Sequence, residues 1–239
     1  MNGEQSTRIA LALARAVAKS PNSGLCGVCV EILAVSGAGI TIMGGGHAGP
    51  VCVSGGRMAV LEELQFTMGL GPCQDAYSSG RPVHAPTFDA PISARWPTFI
   101  DRARDSGIGA VFAYPMSTSG AKVGVLTLYQ DDEGELSADQ HNDSLVMATL
   151  LSETVLSLQD NAPPGELGNG LEAVVAYRAE IHQASGIVSI QLHIPVEEAQ
   201  LRIRAHAFAI GAPVSVVAAD IVARRLRLTD DRQQPGGGV

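Results

Sequence analysis

The stretch Pro195-Val-Glu-Glu-Ala-Gln-Leu-Arg-Ile-Arg-Ala-His-Ala207 carries the strongest pattern in this chain. Its proline stands where a first-turn proline is tolerated, and the two glutamates suit the positive end of a helix dipole. Apolar residues recur at steps of three and four, which predicts one buried helix face formed by Val196, Ala199, Ile203, Ala207 and Ile210. Similar patterns run from Arg178 to Gly186 and from Pro213 to Leu228. Together they predict a three-helix bundle, too small for a catalytic cleft and therefore a binding module.

Charge is unevenly spread along the 239 residues. The net charge is -8. Residues 169–239 hold seven Arg against seven Asp plus Glu, a balance of zero, so the first 168 residues carry the whole excess. The acidic part disfavours contact with nucleic acids and membranes, whereas the neutral part, whose only cations are arginines, tolerates an anionic partner.

The start of the chain does not resemble a signal peptide, and no window approaches the ~18 apolar residues of a membrane helix. We therefore expect a cytoplasmic protein without membrane contact, in which the four cysteines are reduced thiols.

The first 160 residues alternate helical and strand-like patterns. Helices are expected over residues 4–19, 25–33, 58–64, 73–79, 95–105 and from an N-cap at 137–140 to about 159, and strands over 39–43, 51–53, 82–85, 110–116 and 123–129. Asn161-Ala-Pro-Pro-Gly165 is the clearest linker. This order predicts an α+β domain, an antiparallel sheet flanked by helices, followed by the all-α bundle.

Two family resemblances become specific at this point. Leu25-Cys-Gly-Val-Cys29, Val35-Ser-Gly-Ala-Gly-Ile-Thr-Ile42 and Gly69-Leu-Gly-Pro-Cys73-Gln-Asp-Ala76 resemble a GAF domain of the actinobacterial type. The C-terminal region resembles an ANTAR domain, a three-helix RNA-binding module of transcription antiterminators. The positions that agree with it are Arg178, Ile181, Ala184, Gly186, Glu198-Ala199, Ile203-Arg204, Ala207 and Val217-Ala218. The resemblances imply a GAF-like domain over 1–160 and an ANTAR domain over 169–228, joined by the linker over 161–168. The composition of the tail over 229–239, which ends Pro-Gly-Gly-Gly-Val, predicts disorder.

The ANTAR resemblance, together with the planar donors that suit unpaired RNA bases, selects candidate RNA-binding residues. They are Arg204, Arg178, Gln183, Ala184, Ser185, Gly186, His206, Ser215, Arg224 and Arg225. The structural alternatives are a salt bridge for Arg204 and Arg178, tight helix packing for Ala184 and Gly186, and a solvated basic end of the third helix for Arg224 and Arg225. Many ANTAR domains carry Ala-Lys-Gly where this chain has Ala184-Ser185-Gly186, so one phosphate interaction is lost.

The remaining patterns do not form a catalytic or metal-binding site. Cys26-Gly-Val-Cys29 lacks a second Cys/His pair, so we expect core thiols at both positions. Cys73, at an expected helix start, is a candidate for a reactive or sensory thiol, and a buried small side chain is the favoured alternative. His47 and His84 have no partner at a suggestive spacing. No enzyme, metal site or cofactor is expected.

The sequence thus predicts an RNA-binding regulator. The ANTAR resemblance implies binding of tandem RNA stem-loops and transcription antitermination. The GAF-like domain would modulate it through an unknown small-molecule ligand and hold a homodimer, since residues 137–159 carry more apolar surface than one domain face needs. The alternative is a small-molecule or redox sensor whose C-terminal helices bind a protein partner, favoured by the low basicity of those helices.

Overall fold

The computed structural model of the protein describes residues 3–19, 24–43, 49–118, 120–160 and 172–229, without the side chains of 160 and 172–178. The chain forms two compact units, residues 1–176 and 177–239, and the division falls within one helix. The expected linker at 161–168, and all but the first residue of the expected tail at 229–239, lie outside the described residues.

The first unit contains seven helices in its described part. They are α1 (Gly3–Lys19), α2 (Gly24–Leu33), α3 (Gly56–Met68), α4 (Pro72–Ser79), α5 (Ala90–Arg95), α6 (Pro97–Asp105) and α7 (Ala138–Asp160). The six helices expected from the sequence are present, with shifted ends. Helix α5 was not expected; its N-cap is Asp89, whose carboxylate accepts a hydrogen bond from the Ile92 N–H at 3.4 Å.

Five strands form one antiparallel sheet in the order β2-β1-β5-β4-β3. They are β1 (Gly37–Ile42), β2 (Gly49–Val53), β3 (Val83–Ala85), β4 (Ala110–Thr118) and β5 (Ala121–Gln130). Within the part of the chain that the structure describes, strand β2 pairs with β1 only, and their register shifts between Ile40 and Thr41, at a bulge. A side chain at Gly124 would clash with the Thr41 carbonyl oxygen, so the close approach of β5 and β1 requires glycine there.

The sheet is buried on both faces, which explains the continuous apolar runs of its central strands. Side chains of β4 alternate between two cores: Phe112 and Tyr114 face the core that α1, α2 and α7 complete, while Val111 and Ala113 face the core with α3, α4 and α6. The predicted α+β architecture is confirmed for this unit.

A disulfide joins Cys26 of α2 to Cys52 of β2, with 6.0 Å between their Cα atoms. The expectation of four reduced thiols is therefore wrong for this pair. It failed because the two residues are 26 positions apart in sequence and become neighbours only when β2 docks beside α2. Cys29 and Cys73 are free and buried, as expected for core thiols.

The second unit consists of α8 (Glu172–Leu192), α9 (Val196–Ile210) and α10 (Val214–Val222). Ala199, Ile203 and Ala207 of the predicted α9 stripe are buried, but Val196 and Ile210, at its ends, are largely exposed. Helix α10 ends before the three arginines that were expected to form its last turn. Arg224 has a positive φ of 60°, which takes the backbone out of the helix.

Within the described residues, no single helix combines the length and apolar composition needed to cross a membrane. Helices α9 and α10 together meet these two criteria, but a bend of 115° separates them.

Candidate functional site

The α8 motif divides into exposed and buried positions. Gln183 is exposed, whereas Ala184 and Ser185 are fully buried within the helical unit. The Ser185 hydroxyl donates a hydrogen bond to the Ile181 carbonyl oxygen one turn earlier, at 2.7 Å, which satisfies it inside the core. The side chains of Ala184 and Ser185 therefore pack the unit, and Gln183 is the member of this trio available to a ligand.

Gly186 is partly exposed in the interior of α8. A Cβ atom added there would meet no atom of the described chain within 4 Å, apart from the neighbouring helical backbone. Tight packing within the described chain therefore does not account for the glycine. Glycine in a helix interior costs about 0.5–1 kcal/mol relative to alanine. The energetic cost of this glycine therefore has no explanation within the described chain, and its position is open to an external partner.

The remaining candidates are distributed over α9, α10 and the segment that follows. Arg204 and His206 of α9 and Ser215 of α10 are partly exposed. Arg225, for which a solvated basic helix end was the alternative, instead pairs with Asp220, with 2.6 Å between Nη2 and Oδ1. Arg224 and Arg227 are exposed, and neither pairs with a carboxylate among the described residues. Arg178 lies in α8, but its side chain is outside the described residues.

The second unit also exposes an apolar stripe on α9. Leu201 is 65% and Phe208 51% exposed, and Ala205 between them is exposed too. Their spacing of four and three residues places them on one face, away from the buried face of Ala199 and Ile203. Helix α9 therefore has two apolar faces. One packs inside the unit, and the other, which carries Leu201 and Phe208, faces solvent.

A buried polar cluster lies in the first unit, between the sheet and α3. The Thr41 hydroxyl of β1 donates to Glu62 Oε2 of α3 at 2.5 Å. Gln65, one turn further, accepts a hydrogen bond from the Cys73 N–H through Oε1 at 2.6 Å. Among the described residues, Glu62 Oε1, Gln65 Nε2 and the Thr127 hydroxyl of β5 have no aligned hydrogen-bond partner, although the Thr127 hydroxyl lies close to Glu62. Three unpaired polar atoms are unusual in a core, because each costs about 1–3 kcal/mol.

The environment of this cluster disfavours the ionised forms of Glu62 and Cys73. Burial raises the pKa of Glu62 above its usual range, and the nearby Thr41 and Thr127 hydroxyls only partly offset that rise. Burial, and the Glu62 carboxylate beside it, raise the pKa of Cys73 well above its usual value. The Cys73 thiol lies 3.6 Å from Met43 Sδ and lacks the depressed pKa of a reactive thiolate. The cluster is suited to exchange hydrogen bonds with a polar molecule.

The members of the cluster come from β1, α3, α4 and β5, so no local motif marks it. Glu62 and Gln65 look like ordinary polar positions of a surface helix in sequence. The one available signal was their spacing of three residues next to Gly69-Leu-Gly-Pro72, where the chain turns back toward the sheet.

A second cluster of polar side chains lies on the opposite face of the sheet. The Tyr114 hydroxyl and His141 Nδ1 are 3.0 Å apart, and the His84 ring centroid lies 5.2 Å from that of His141. His84 is therefore not isolated, contrary to the expectation from its spacing in the sequence. Burial and the neighbouring His141 lower the pKa of His84, although Glu135 opposes them. His47 lies outside the described residues.

Helices α1 and α7 border two grooves. One of about 620 Å³ has a mixed polar and apolar lining and lies between Gln5 and Ser6 of α1 and the first turns of α7. The other, of about 450 Å³, is mainly apolar and is lined by Ala10, Leu13, Ala14, Val17, Leu150, Glu153, Thr154, Ser157 and Leu158. The apolar excess expected on α7 is thus partly buried, by Leu151 and Val155, and partly open in this groove.

No group of three or more His, Cys, Asp or Glu side chains in the described part of the chain is arranged to hold a metal ion.

Comparison with known proteins identifies the fold of the larger unit. No family model and no curated protein matches the sequence. The GAF domain of an Acinetobacter phosphoenolpyruvate-protein phosphotransferase is similar in structure, with a TM-score of 0.50 and 10% identity over 69% of this chain and 99% of that one. The corresponding GAF domain from Coxiella burnetii has a TM-score of 0.49 and 14% identity over 67% and 98% of the two chains. The Acinetobacter domain shows a GAF-like fold, and the low identity limits the likeness to the fold.

Proposed function

We propose that this protein is a cytoplasmic, RNA-binding regulator whose C-terminal helical unit binds tandem RNA stem-loops and opposes transcription termination. The GAF-like unit modulates this binding and holds a homodimer. The observation that carries the proposal is Gly186, a helix-interior glycine open to an external partner, in the part of the chain that resembles an ANTAR domain.

Gly186 supports close approach of RNA to the α8 backbone. A methyl group at this position would meet nothing in the described chain, yet it would stand between the helix surface and a docked strand. Gln183 is exposed three residues earlier and supplies both an amide donor and an acceptor. Unpaired bases present hydrogen-bonding edges to such groups, so this part of α8 suits loop bases rather than a regular duplex.

Arginines supply the phosphate and base contacts in this proposal. Arg204 is the principal candidate on α9, and the exposed Arg224 and Arg227 extend the cationic surface after α10. Arg225 contributes less, because Asp220 neutralises it. With a formal charge near zero over residues 169–239, affinity depends on two sites bound at once. A dimer that carries two helical units meets that requirement.

The test is binding of the full chain to a fluorescent RNA with two hairpins, followed by anisotropy over a salt series. We expect binding at low salt that weakens as salt rises, with a steeper slope for two hairpins than for one. An RNA of equal length without hairpins is the control. Absence of binding at low salt, or equal binding to both RNAs, would contradict the proposal.

The modulating role is assigned to the buried polar cluster. Glu62 Oε1, Gln65 Nε2 and the Thr127 hydroxyl offer unpaired hydrogen-bonding atoms to a small polar molecule. Native mass spectrometry of the purified protein, before and after denaturation, tests for a retained compound. Loss of an added mass on replacing Gln65 by Leu would place it at this cluster.

A protein partner for the C-terminal unit is the second candidate. The exposed Leu201 and Phe208 favour it, because large apolar side chains in a neutral unit suit a protein surface better than RNA phosphates. Replacement of both by Ser distinguishes the candidates. RNA binding through Arg204 and Gly186 survives this change, whereas binding of a protein partner is lost.

A further inference from the structure

Three cysteines belong to the core cluster that includes α2 and edge strand β2. Cys26 and Cys29 both lie on the buried face of α2, three residues apart, and Cys26 is bonded to Cys52. Cys29 is a free thiol that is fully buried. A static bridge between α2 and β2 requires Cys26 and Cys52 alone, so the third cysteine has no part in it.

We infer that Cys26 exchanges its disulfide partner between Cys52 and Cys29, and that this exchange ties edge strand β2 to α2 or releases it. The Cys29 sulfur attacks the Cys26 sulfur, the Cys26–Cys29 bond forms and the Cys26–Cys52 bond breaks. The proton lost by Cys29 is taken up by the Cys52 thiolate. No electrons enter or leave the protein, so the step needs no external oxidant or reductant.

Helix geometry permits both pairings. Residues three apart in an α-helix have Cα atoms about 5 Å apart, inside the range of about 4.4–6.8 Å found for disulfides. Their Cβ atoms are about 5–6 Å apart, more than the roughly 3.5–4.5 Å of a bridge, so the first turns of α2 must tighten. That adjustment explains why the Cys26–Cys52 pairing is the one present at rest. Burial raises the pKa of Cys29 to about 12, which keeps exchange slow until α2 or β2 moves.

The position of Cys52 gives the exchange a structural consequence. Strand β2 lies at the sheet edge and pairs with β1 alone. Cys52 is opposite Ile40, directly beside the bulge, and the next residue, Thr41, holds Glu62 of the buried polar cluster at 2.5 Å. Release of β2 from α2 therefore acts on the strand that supports this cluster. This regulatory consequence rests on the proposed sensing role, whereas the exchange itself does not.

The cytoplasmic location contained in the proposed function agrees with an exchangeable bond. Disulfides in reducing compartments are mostly transient, catalytic or redox-sensing. Cys52 is 8% exposed and Cys26 1%, so a small external thiol has little direct access to either sulfur. Exchange within the chain avoids that barrier.

The test is disulfide mapping of the full-length protein, incubated under anaerobic conditions with and without a trace of a small monothiol. Acid quenching, labelling with N-ethylmaleimide and cleavage after glutamate place Cys26 and Cys29 on peptide 5–31 and Cys52 on peptide 32–62. At rest the two peptides are joined and Cys29 is labelled. After exchange, peptide 5–31 is unlabelled with an internal bond, and peptide 32–62 is free and labelled.

We expect the exchanged pattern to appear with time while the described free thiols, Cys29 and Cys73 at rest, stay two in number. A rise in free thiols would mean reduction instead, and would overturn the inference. A joined pair of peptides labelled at Cys26 would also overturn the inference, as would a labelling pattern that does not change with time. Since this mapping uses the natural chain, it does not depend on whether a variant folds.

Two variants sharpen the result. Cys29→Ser must abolish the exchanged pattern while the Cys26–Cys52 bond stays. Cys52→Ser, oxidised with a disulfide reagent, must yield the internal bond in peptide 5–31. A protein that binds no RNA but exchanges partners would overturn the proposed function alone, and one that binds RNA without exchange would overturn this inference alone.

Discussion

Glu62 is a buried carboxyl group whose pKa burial raises above the usual 4.5. The folded protein therefore holds a proton on Glu62 at pH values where the unfolded chain has lost it. It follows that the contribution of Glu62 to stability is full below pH 4.5 and falls as pH rises toward the folded-state pKa.

Glu62→Gln removes this titration and keeps an oxygen that accepts from Thr41. We expect the free energy of unfolding of the variant, relative to the natural protein, to increase as pH rises above 4.5. Urea titrations from pH 4 to 8 measure this difference. Glu63→Gln, one residue away, controls for a general change in charge. An unchanged difference over that range would show that Glu62 is ionised in the folded state.

Gly186 and Gly27 form a matched pair of helix glycines. Both lie in helices, and an added Cβ at either meets no atom of the described chain within 4 Å beyond the local helix backbone. Replacement of either by Ala is expected to stabilise the protein by about 0.5–1 kcal/mol. Gly186→Ala alone is expected to weaken RNA binding, because RNA approaches that backbone. Thermal unfolding and anisotropy, performed on both variants, check the two effects separately. Equal RNA affinity for both variants would remove the main support for the proposed function.

Arg204 and Arg202 are two arginines of α9 with different expected roles. Arg202 pairs with Glu198, with 3.1 Å between Nη2 and Oε1. Loss of a charge-assisted contact costs about 1.5–3 kcal/mol, so Arg204→Ala is expected to weaken RNA binding roughly 10–100-fold. Arg202→Ala should leave RNA affinity nearly unchanged, because no RNA contact is assigned to Arg202, and loss of its ion pair should lower stability by at most about 1 kcal/mol. The assay is anisotropy with circular dichroism; a loss of helicity in Arg204→Ala would assign that residue to the fold instead.

Helix α9 has one face that packs in the core of its unit and another face that is exposed to solvent. Ile203 is buried and Leu201 is 65% exposed, although both are large aliphatic residues. Ile203→Ala is expected to cost about 2–4 kcal/mol, and Leu201→Ala less than about 0.5 kcal/mol. Urea denaturation of the two variants checks the difference. A large loss on truncating Leu201 would mean that its exposed face is covered in the assembled protein.

The helices of both units were largely predictable, because their periodicity and terminal residues are local properties. Pro195, Gly211 and Pro213 delimit α9 and the start of α10 in sequence as they do in the structure. The end of α10 was misjudged. Arg224 to Arg227 continue a helical composition, but the positive φ of Arg224 and the return of Arg225 to Asp220 end the helix earlier. Burial of Ser185, which the sequence treats as a polar surface position, was likewise unpredictable, since its hydroxyl is satisfied by its own helix.

At the scale of the molecule, the apolar groove of α1 and α7 is the expected dimer contact. Ala14 is exposed and lines that groove, whereas the adjacent Arg15 is exposed and does not. Ala14→Glu is expected to give monomers, because it introduces charge into an apolar contact, and Arg15→Glu to leave dimers intact. Size-exclusion chromatography with light scattering measures both. Loss of the dimer should also reduce binding of the two-hairpin RNA to that of a single hairpin. A natural protein that is monomeric at micromolar concentration would refute the dimer.

Local sequence patterns and long-range contacts determine different features of this protein. The sequence by itself determined the helices, the antiparallel strands and the division between an α+β part and a helical part, since periodicity and turn residues act within a few positions. It also singled out Gly186 and Arg204 through resemblance. Only the tertiary structure decided the Cys26–Cys52 bond and the meeting of Glu62 with Thr41 and Thr127. These contacts join residues far apart in the chain, and their chemistry exists only after the sheet and the helices on both of its faces have closed around them.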